Sequence, residues 1–195
     1  MRMRKDIKKE IIEATIKLIE EKGSNTDDIT ISEICDRVGI GVGLVNYHFQ
    51  TKDNLIRQCV RNIISDIINN SEKVFSMIKE DAPKNRLCAL LKVNCNFLVE
   101  NENISRISIL TDITNDELCD NTQQTVDAYL PIALKAYAEV FSQEEIKRRL
   151  YLLIFSIQSV FMRTVLLKDQ TGFDFHNPAH RSHFIEQLIN LYFGK

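Results

Sequence analysis

The stretch "ITISEICDRVGIGVGLVNYHFQTKDNL", Ile29 to Leu55, decides the reading of the whole chain. Thr30-Ile31-Ser32-Glu33 has the T-x-x-E spacing of a capping box, in which a hydroxyl and a carboxylate satisfy each other's backbone N–H groups at a helix start. The spacing predicts a short helix to about Val38, stopped by Gly39, a residue that tolerates positive φ. A second short helix follows, roughly Val42 to His48. Thr51 then caps a long helix that starts at Lys52. Two short helices joined by a tight glycine turn form a helix-turn-helix. In such motifs the N-terminal residues of the second helix enter the DNA major groove.

That geometry assigns chemistry to individual side chains. Gly41 and Val42 open the second helix, and Gly43 lets its backbone come close to a partner. Val42 and Leu44 suit thymine methyl groups, and Asn46 suits the paired donor and acceptor of an adenine edge. Together Asn46 and Leu44 predict an A·T-rich operator. Tyr47 and His48 are placed for phosphates, while Phe49 reads as a core anchor. Lys52, in the first turn of the next helix, suits a phosphate through its charge.

Working outward, Lys5 to Lys22 reads as an amphipathic helix with Ile7, Ile11, Ala14 and Leu18 in one stripe, ending at Gly23. Beyond Lys52 the long helix runs to about Lys79, and Pro83 breaks the chain. Arg86 to Glu100 and Ile104 to Leu110 follow. A T-x-x-E box at Thr114–Glu117 predicts a helix towards Phe141, kinked or split at Pro131. Another box, Ser142–Glu145, predicts one helix of nearly thirty residues ending near Gly172. Asn177-Pro178 is an N-cap followed by proline at the first helical position, opening a last helix to about Phe193. No strand alternation, repeat or low-complexity linker is present. The expected fold is all-α with about nine helices: residues 1–55 as a three-helix helix-turn-helix unit, residues 56–195 as a larger helical body.

Composition agrees with a globular chain. Of 195 residues 44% are hydrophobic and 27% charged, with only six glycines and three prolines. Net charge is −2, so the chain as a whole is no polycation. The first 61 residues carry a net +1, and Arg2, Arg4, Lys5, Lys8 and Lys9 cluster against Asp6. This arm is expected to supply part of any phosphate contact, together with Arg37 and Lys52. The N-terminus lacks the apolar core of a signal peptide. The apolar stretch from Leu150 to Met162 is shorter than the ~17–25 residues a membrane span requires. A cytoplasmic location with no membrane partner is the expectation.

Five cysteines, at 35, 59, 88, 95 and 119, form no CxxC pair and suit reduced thiols better than a disulfide framework. Cys88 and Cys95 could still act as a redox pair. His176, His180 and His183 read as a solvated turn more readily than as a metal site. There is no metal motif, nucleophile elbow or phosphate loop. Neither an enzyme nor a cofactor is therefore expected.

The segment "TISEICDRVGIGVGLVNYHFQTKDNL" resembles the DNA-binding region of the TetR family of bacterial transcriptional regulators. The match comprises Ile31, Ile34, Gly39, Ile40 and Gly43, the aromatic "YHF" end, Lys52 and Leu55, and it extends over about residues 5 to 60. The resemblance implies DNA contacts at Thr30, Tyr47 and Lys52. Where the family commonly has serine, lysine, threonine and tyrosine, this chain has Gly41, Val42, Leu44 and Asn46. The resemblance further implies a homodimer, a double-stranded DNA operator, repression as the common mode, and a small-molecule pocket in the C-terminal helices. Phe75, Met77, Phe97, Tyr129, Phe155, Gln158 and Met162 lie on helices that would surround such a pocket, and their character favours an apolar or aromatic effector. Ile157 and Phe161, with Phe184, Leu188, Leu191 and Tyr192, form apolar faces suited to the dimer interface.

Overall fold

The structure is a computed structural model and describes residues 6–77, 82–115 and 120–194, with side chains for 6–64, 82–114 and 120–194. Ten α-helices and one short 3-10 turn account for the elements among these residues, and no strand occurs there. They are α1 (Ile7–Lys22), α2 (Ile31–Val38), α3 (Val42–Phe49), α4 (Lys52–Met77), α5 (Pro83–Glu100), α6 (Glu102–Asn115), α7 (Asn121–Tyr137), α8 (Gln143–Met162), α9 (Thr164–Thr171) and α10 (Pro178–Phe193), with the 3-10 turn at Thr26–Asp28. The chain divides into two compact units, Met1–Asn70 with Glu102–Asn115, and Ser71–Asn101 with Asp116–Lys195.

In the first unit, α1 packs against α2, α3 and α6. Its core is Ile11, Leu18, Ile19, Ile34, Val45, Phe49, Leu55, Ile104 and Ile107. Each fully buried aliphatic side chain contributes about 1.5–3 kcal/mol, less the entropy of ordering it. The capping box is complete: the Glu33 N–H donates to the Thr30 hydroxyl (3.3 Å) and the Thr30 N–H to the Glu33 carboxylate (3.0 Å). Gly39 closes α2 in the left-handed region (φ 75°, ψ 41°). There its N–H and that of Ile40 both reach the Cys35 carbonyl (2.8 and 3.1 Å). Between α3 and α4, Gln50 has φ 66° and is the one non-glycine residue at positive φ among those described. The Thr51 N–H donates to the Phe49 carbonyl at 2.8 Å, which makes Gln50 the centre of a tight γ-turn, a strained conformation for a residue with a Cβ. The Thr51 hydroxyl then accepts from the Asn54 N–H (3.1 Å) to cap α4.

In the second unit, α5 packs on α7 and α10, and α8 on α7 and α10. The core includes Leu87, Leu91, Val126, Tyr129, Leu150, Ile157, Phe161, Phe175, Ile185 and Leu188. Ser142 and Asn177 cap α8 and α10 through their side chains, as their positions predict. Arg181 is buried on α10. It donates to the carbonyls of Phe175 and His176 (2.8 Å each) and to Asn96 Oδ1 of α5 (2.7 Å), tying the α9–α10 connection to α5.

Three expected elements are corrected. The helix predicted from Ser142 to Gly172 is two helices, α8 and α9, bent by 79°. At the break Arg163 leaves helical geometry (φ −117°, ψ 27°) and its N–H is shared between the Ser159 and Val160 carbonyls. The turn carries no glycine or proline. It brings Phe175 back onto Phe161, with ring centroids 5.7 Å apart. Thr114 is not an N-cap: its hydroxyl donates back to the Leu110 carbonyl (2.8 Å) inside α6, which is longer than Ile104–Leu110. Asp120 caps α7 instead, accepting from the Gln123 N–H at 2.7 Å. Finally, of the kink or split expected at Pro131, the split does not occur: α7 is one element from Asn121 to Tyr137 with Pro131 inside it.

Candidate functional site

The surface of α3 follows from which of its residues the core claims. Val45 and Phe49, four apart, are buried and fasten the helix to the first unit. The remaining positions face outward: Gly41, Gly43 and Asn46 are exposed, Val42 is 47% exposed, Leu44 42% and Tyr47 80%. His48 is half-buried beside the rings of Tyr47 (5.1 Å) and Phe49 (6.1 Å). Gly41 is the N-cap residue and offers no side-chain cap, so the first turn of α3 keeps its backbone N–H groups free of such a partner.

Among the described residues, the cations expected beside this face are already engaged. Arg37 forms a two-pronged ion pair with Glu21 (2.9 Å for Nη1), and the guanidinium holds the Glu21 carboxyl below the usual carboxylate range. Lys52 Nζ donates to the Thr26 carbonyl (2.9 Å) and lies 3.8 Å from Asp27. Lys22 bonds to the Asp28 carbonyl and to Glu33. Lys22 and Thr30 together lower the Glu33 carboxyl to about 2. The hydroxyl of Thr30 is spent in the capping box. Lys8 sits over the Phe49 ring (5.7 Å), and Lys9 pairs with Glu13 (3.8 Å). Arg2, Arg4 and Lys5 lie outside the described residues. These local partners, 16 and 26 residues away for Arg37 and Lys52, are invisible to a reading of spacing.

In the second unit the expected pocket residues separate. Tyr129 of α7 is buried, which pushes its hydroxyl up, opposed by a hydrogen bond with Asn94 of α5. Gln158 of α8 donates to the Thr122 hydroxyl of α7 at 2.8 Å. Phe97 and Met162 are half-buried on α5 and α8. Phe155 is 49% exposed and points away from the core. The side chains of Phe75 and Met77 lie outside the described residues. A groove of about 580 Å³ over α5, α7 and α10 is lined by Lys84, Cys88, Tyr137, Val140, Glu186 and Phe193 among others, and by none of the expected residues.

The residues expected at a dimer interface divide as well. Ile157, Phe161 and Leu188 are core residues of the second unit, because the inner part of each wide apolar stripe packs within it. Phe184 is half-buried within an aromatic cluster with Phe173 (5.4 Å) and Phe175 (6.5 Å). Tyr192 shares a hydrogen bond with Ser156 (2.8 Å). Leu191 is 70% exposed, and Leu152 and Phe155 on α8 are exposed too.

The cysteine pair is also corrected. Cys88 and Cys95 stand two turns apart on α5, about 10 Å along its axis, beyond the ~7 Å a disulfide spans. Burial pushes the thiols of Cys59 and Cys95 up to about 12; Cys119 lies outside the described residues. His180 Nδ1 accepts from the Asp174 N–H (3.0 Å), and His176 lies 3.7 Å from Asp174. Among the described residues no group of three His, Cys, Asp or Glu side chains is arranged to hold a metal ion. No single helix there is long and apolar enough to cross a membrane.

Residues 11–59 match the family model described as bacterial regulatory proteins, tetR family. The chain is 28% identical over 92 residues to the HTH-type transcriptional regulator BetI of Burkholderia thailandensis, spanning 47% of this chain and 46% of that protein. It is 31% identical over 83 residues to BetI of an Escherichia coli strain, spanning 43% and 35%. The matched stretch thus covers less than half the length of these relatives. Whole-chain similarity is to solved folds. A TetR transcription regulator from Haloarcula marismortui superposes with a TM-score of 0.70 at 18% identity, covering 95% of this chain and 97% of that one. The regulator FadR from Bacillus subtilis, solved in complex with stearoyl-CoA, gives 0.60 at 16%, covering 95% and 98%. Residues 11–59 thus match the N-terminal domain of the tetR family of bacterial regulatory proteins, within a fold similar to these solved regulators over nearly its full length.

Proposed function

We propose that the chain is a ligand-responsive transcriptional regulator, a homodimeric repressor that binds a palindromic double-stranded DNA operator through α3 and is released by a small-molecule effector. The observation that carries this reading is the two-sidedness of α3. Val45 and Phe49 anchor it, while Gly41, Val42, Gly43, Leu44, Asn46 and Tyr47 stand in solvent inside the stretch that matches the family model. Bases are read from the exposed face and phosphates are held by Tyr47, His48 and the uncapped first turn of α3. Thr30, Arg37 and Lys52 join only by exchanging their present partners for phosphate oxygens, which lowers their net contribution.

Residues 1–55 do the reading in this proposal, and residues 56–195 sense the effector and dimerise. A twofold operator calls for a twofold protein. The exposed side chains Leu152, Phe155 and Leu191, bordered by Tyr192 and Phe184, supply the apolar face for it. The effector is an apolar or aromatic molecule held near Phe97, Tyr129, Gln158 and Met162, a choice supported by the acyl-CoA in the FadR neighbour. Its binding favours a state with lower DNA affinity. The protein acts in the cytoplasm by binding and not by catalysis.

Selection of duplexes from a randomised pool by the full-length chain tests the reading. The expected result is an enriched palindrome, retarded by a species that sediments as a dimer. Failure to enrich or retard any duplex overturns it.

A further inference from the structure

The N-terminal end of α3 combines two features that the fold does not explain. Val42 and Leu44 are large apolar side chains left about half exposed, two positions apart at the start of the helix. Between and before them stand Gly43 and Gly41, neither at positive φ, and a Cβ built on either meets nothing within 4 Å. Gly39, by contrast, sits at φ 75° and is needed for its turn. So alanine at 41 or 43 would fit this protein without strain. At the N-cap, Gly41 is favoured over alanine, but Gly43, inside the first turn, lowers helix stability relative to alanine, and no close contact inside the molecule requires it. What the two glycines do provide is a backbone with no side chain between the two apolar residues and whatever lies against them.

The described cations nearby are already engaged elsewhere. Arg37, Lys52 and Lys22 are all held by partners within the first unit, and α3 itself carries neither lysine nor arginine. The bidentate cation–guanine contact that dominates base reading is therefore not on offer from this helix.

We propose that Val42 and Leu44 read thymine by burying its C5-methyl group, with Gly41 and Gly43 permitting the close approach. This rests on the reading that α3 enters a DNA major groove. Each methyl so buried is worth a factor of about three to five in affinity. Asn46, one turn from Val42 and exposed, is placed to add the adenine edge of a neighbouring pair.

The test uses the full-length chain and a duplex that it has itself selected, with thymines replaced one at a time by uracil, which removes the methyl and leaves pairing intact. Expected is a threefold to fivefold loss at one or two positions per half-site. Leu44→Ala or Val42→Ala should lose affinity for the thymine duplex and become indifferent to the same replacement, the coupling a double-mutant cycle detects. Gly43→Ala should weaken binding while leaving the melting temperature unchanged or higher, so a folding defect cannot imitate the result. Tight binding that ignores every thymine-to-uracil change overturns methyl reading and leaves the DNA-binding proposal standing. Absence of any selected duplex overturns both.

Discussion

Helices α2 and α3 are both eight residues long and adjacent in the chain, yet they are built by opposite rules. α2 has a reciprocal cap at its start, an ion-paired arginine in its last turn and a left-handed glycine at its end, so its local signals agree with its conformation. α3 has no side-chain cap, a glycine inside its first turn, exposed apolar residues and a strained γ-turn where it ends. Consistency across levels specifies a fold, and departures concentrate where a surface has another task. The contrast teaches which of the two helices is organised for the protein's own stability.

The largest effect should come from removing what the two helices share, the core. Phe49→Ala is expected to destabilise the first unit by about 3–5 kcal/mol, read as a drop in melting temperature. A loss below about 1 kcal/mol would mean that α3 is not fastened through this ring. Next comes the outward face. Asn46→Ala should cost about 1–3 kcal/mol of operator affinity with no change in melting temperature, and equal losses on operator and random DNA would refute a base-reading role. For α2 the expectation reverses. Thr30→Ala should cost about 1 kcal/mol of stability; a change seen only in DNA affinity would place Thr30 with α3 in function.

The smallest effect is a pH dependence confined to α2. The Glu33 carboxyl stands at about 2 in the folded protein, against 4.5 for a free one, because Lys22 and Thr30 bond to its charged form. A depressed carboxylate stabilises fully above its unfolded value and loses that contribution as pH falls through the folded one. The contribution should therefore fade from about pH 4.5 down to about 2. Comparing acid melting of the parent with Glu33→Gln over that window checks this, since the variant should follow a flatter curve there. Identical curves would remove Glu33 from the account.

Much of this was legible in the chain because capping is a local code. The Thr30–Glu33 box, the Ser142 cap and Asn177-Pro178 depend on residues one to three apart, and each appears where its spacing places it. The same code misled at Thr114, where the hydroxyl found a carbonyl four residues back, a known competitor of capping. Asp120 with Gln123 carries an equivalent D-x-x-Q signal six residues later. The bend at Arg163 had no local mark at all. It accompanies the edge-to-face contact of Phe175 with Phe161, residues on either side of the turn. For the site, the types of residue on α3 were readable, since exposure follows from the Val45 and Phe49 anchors. The engagement of Arg37 by Glu21 and of Lys52 by Thr26 was not, because those partners are brought together only by folding. Nor does a wide apolar stripe tell its inner residues, such as Ile157 and Leu188, from an outer one such as Leu191.

The turn at Gln50 has a consequence for anyone who would engineer this protein. The backbone asks for glycine there and finds glutamine, while a few residues earlier it has glycine at 43 where alanine would serve. A redesign scored on folding energy alone would place glycine at 50 and alanine at 43. The product would be hardier in a test tube and, if α3 is a reader, illiterate.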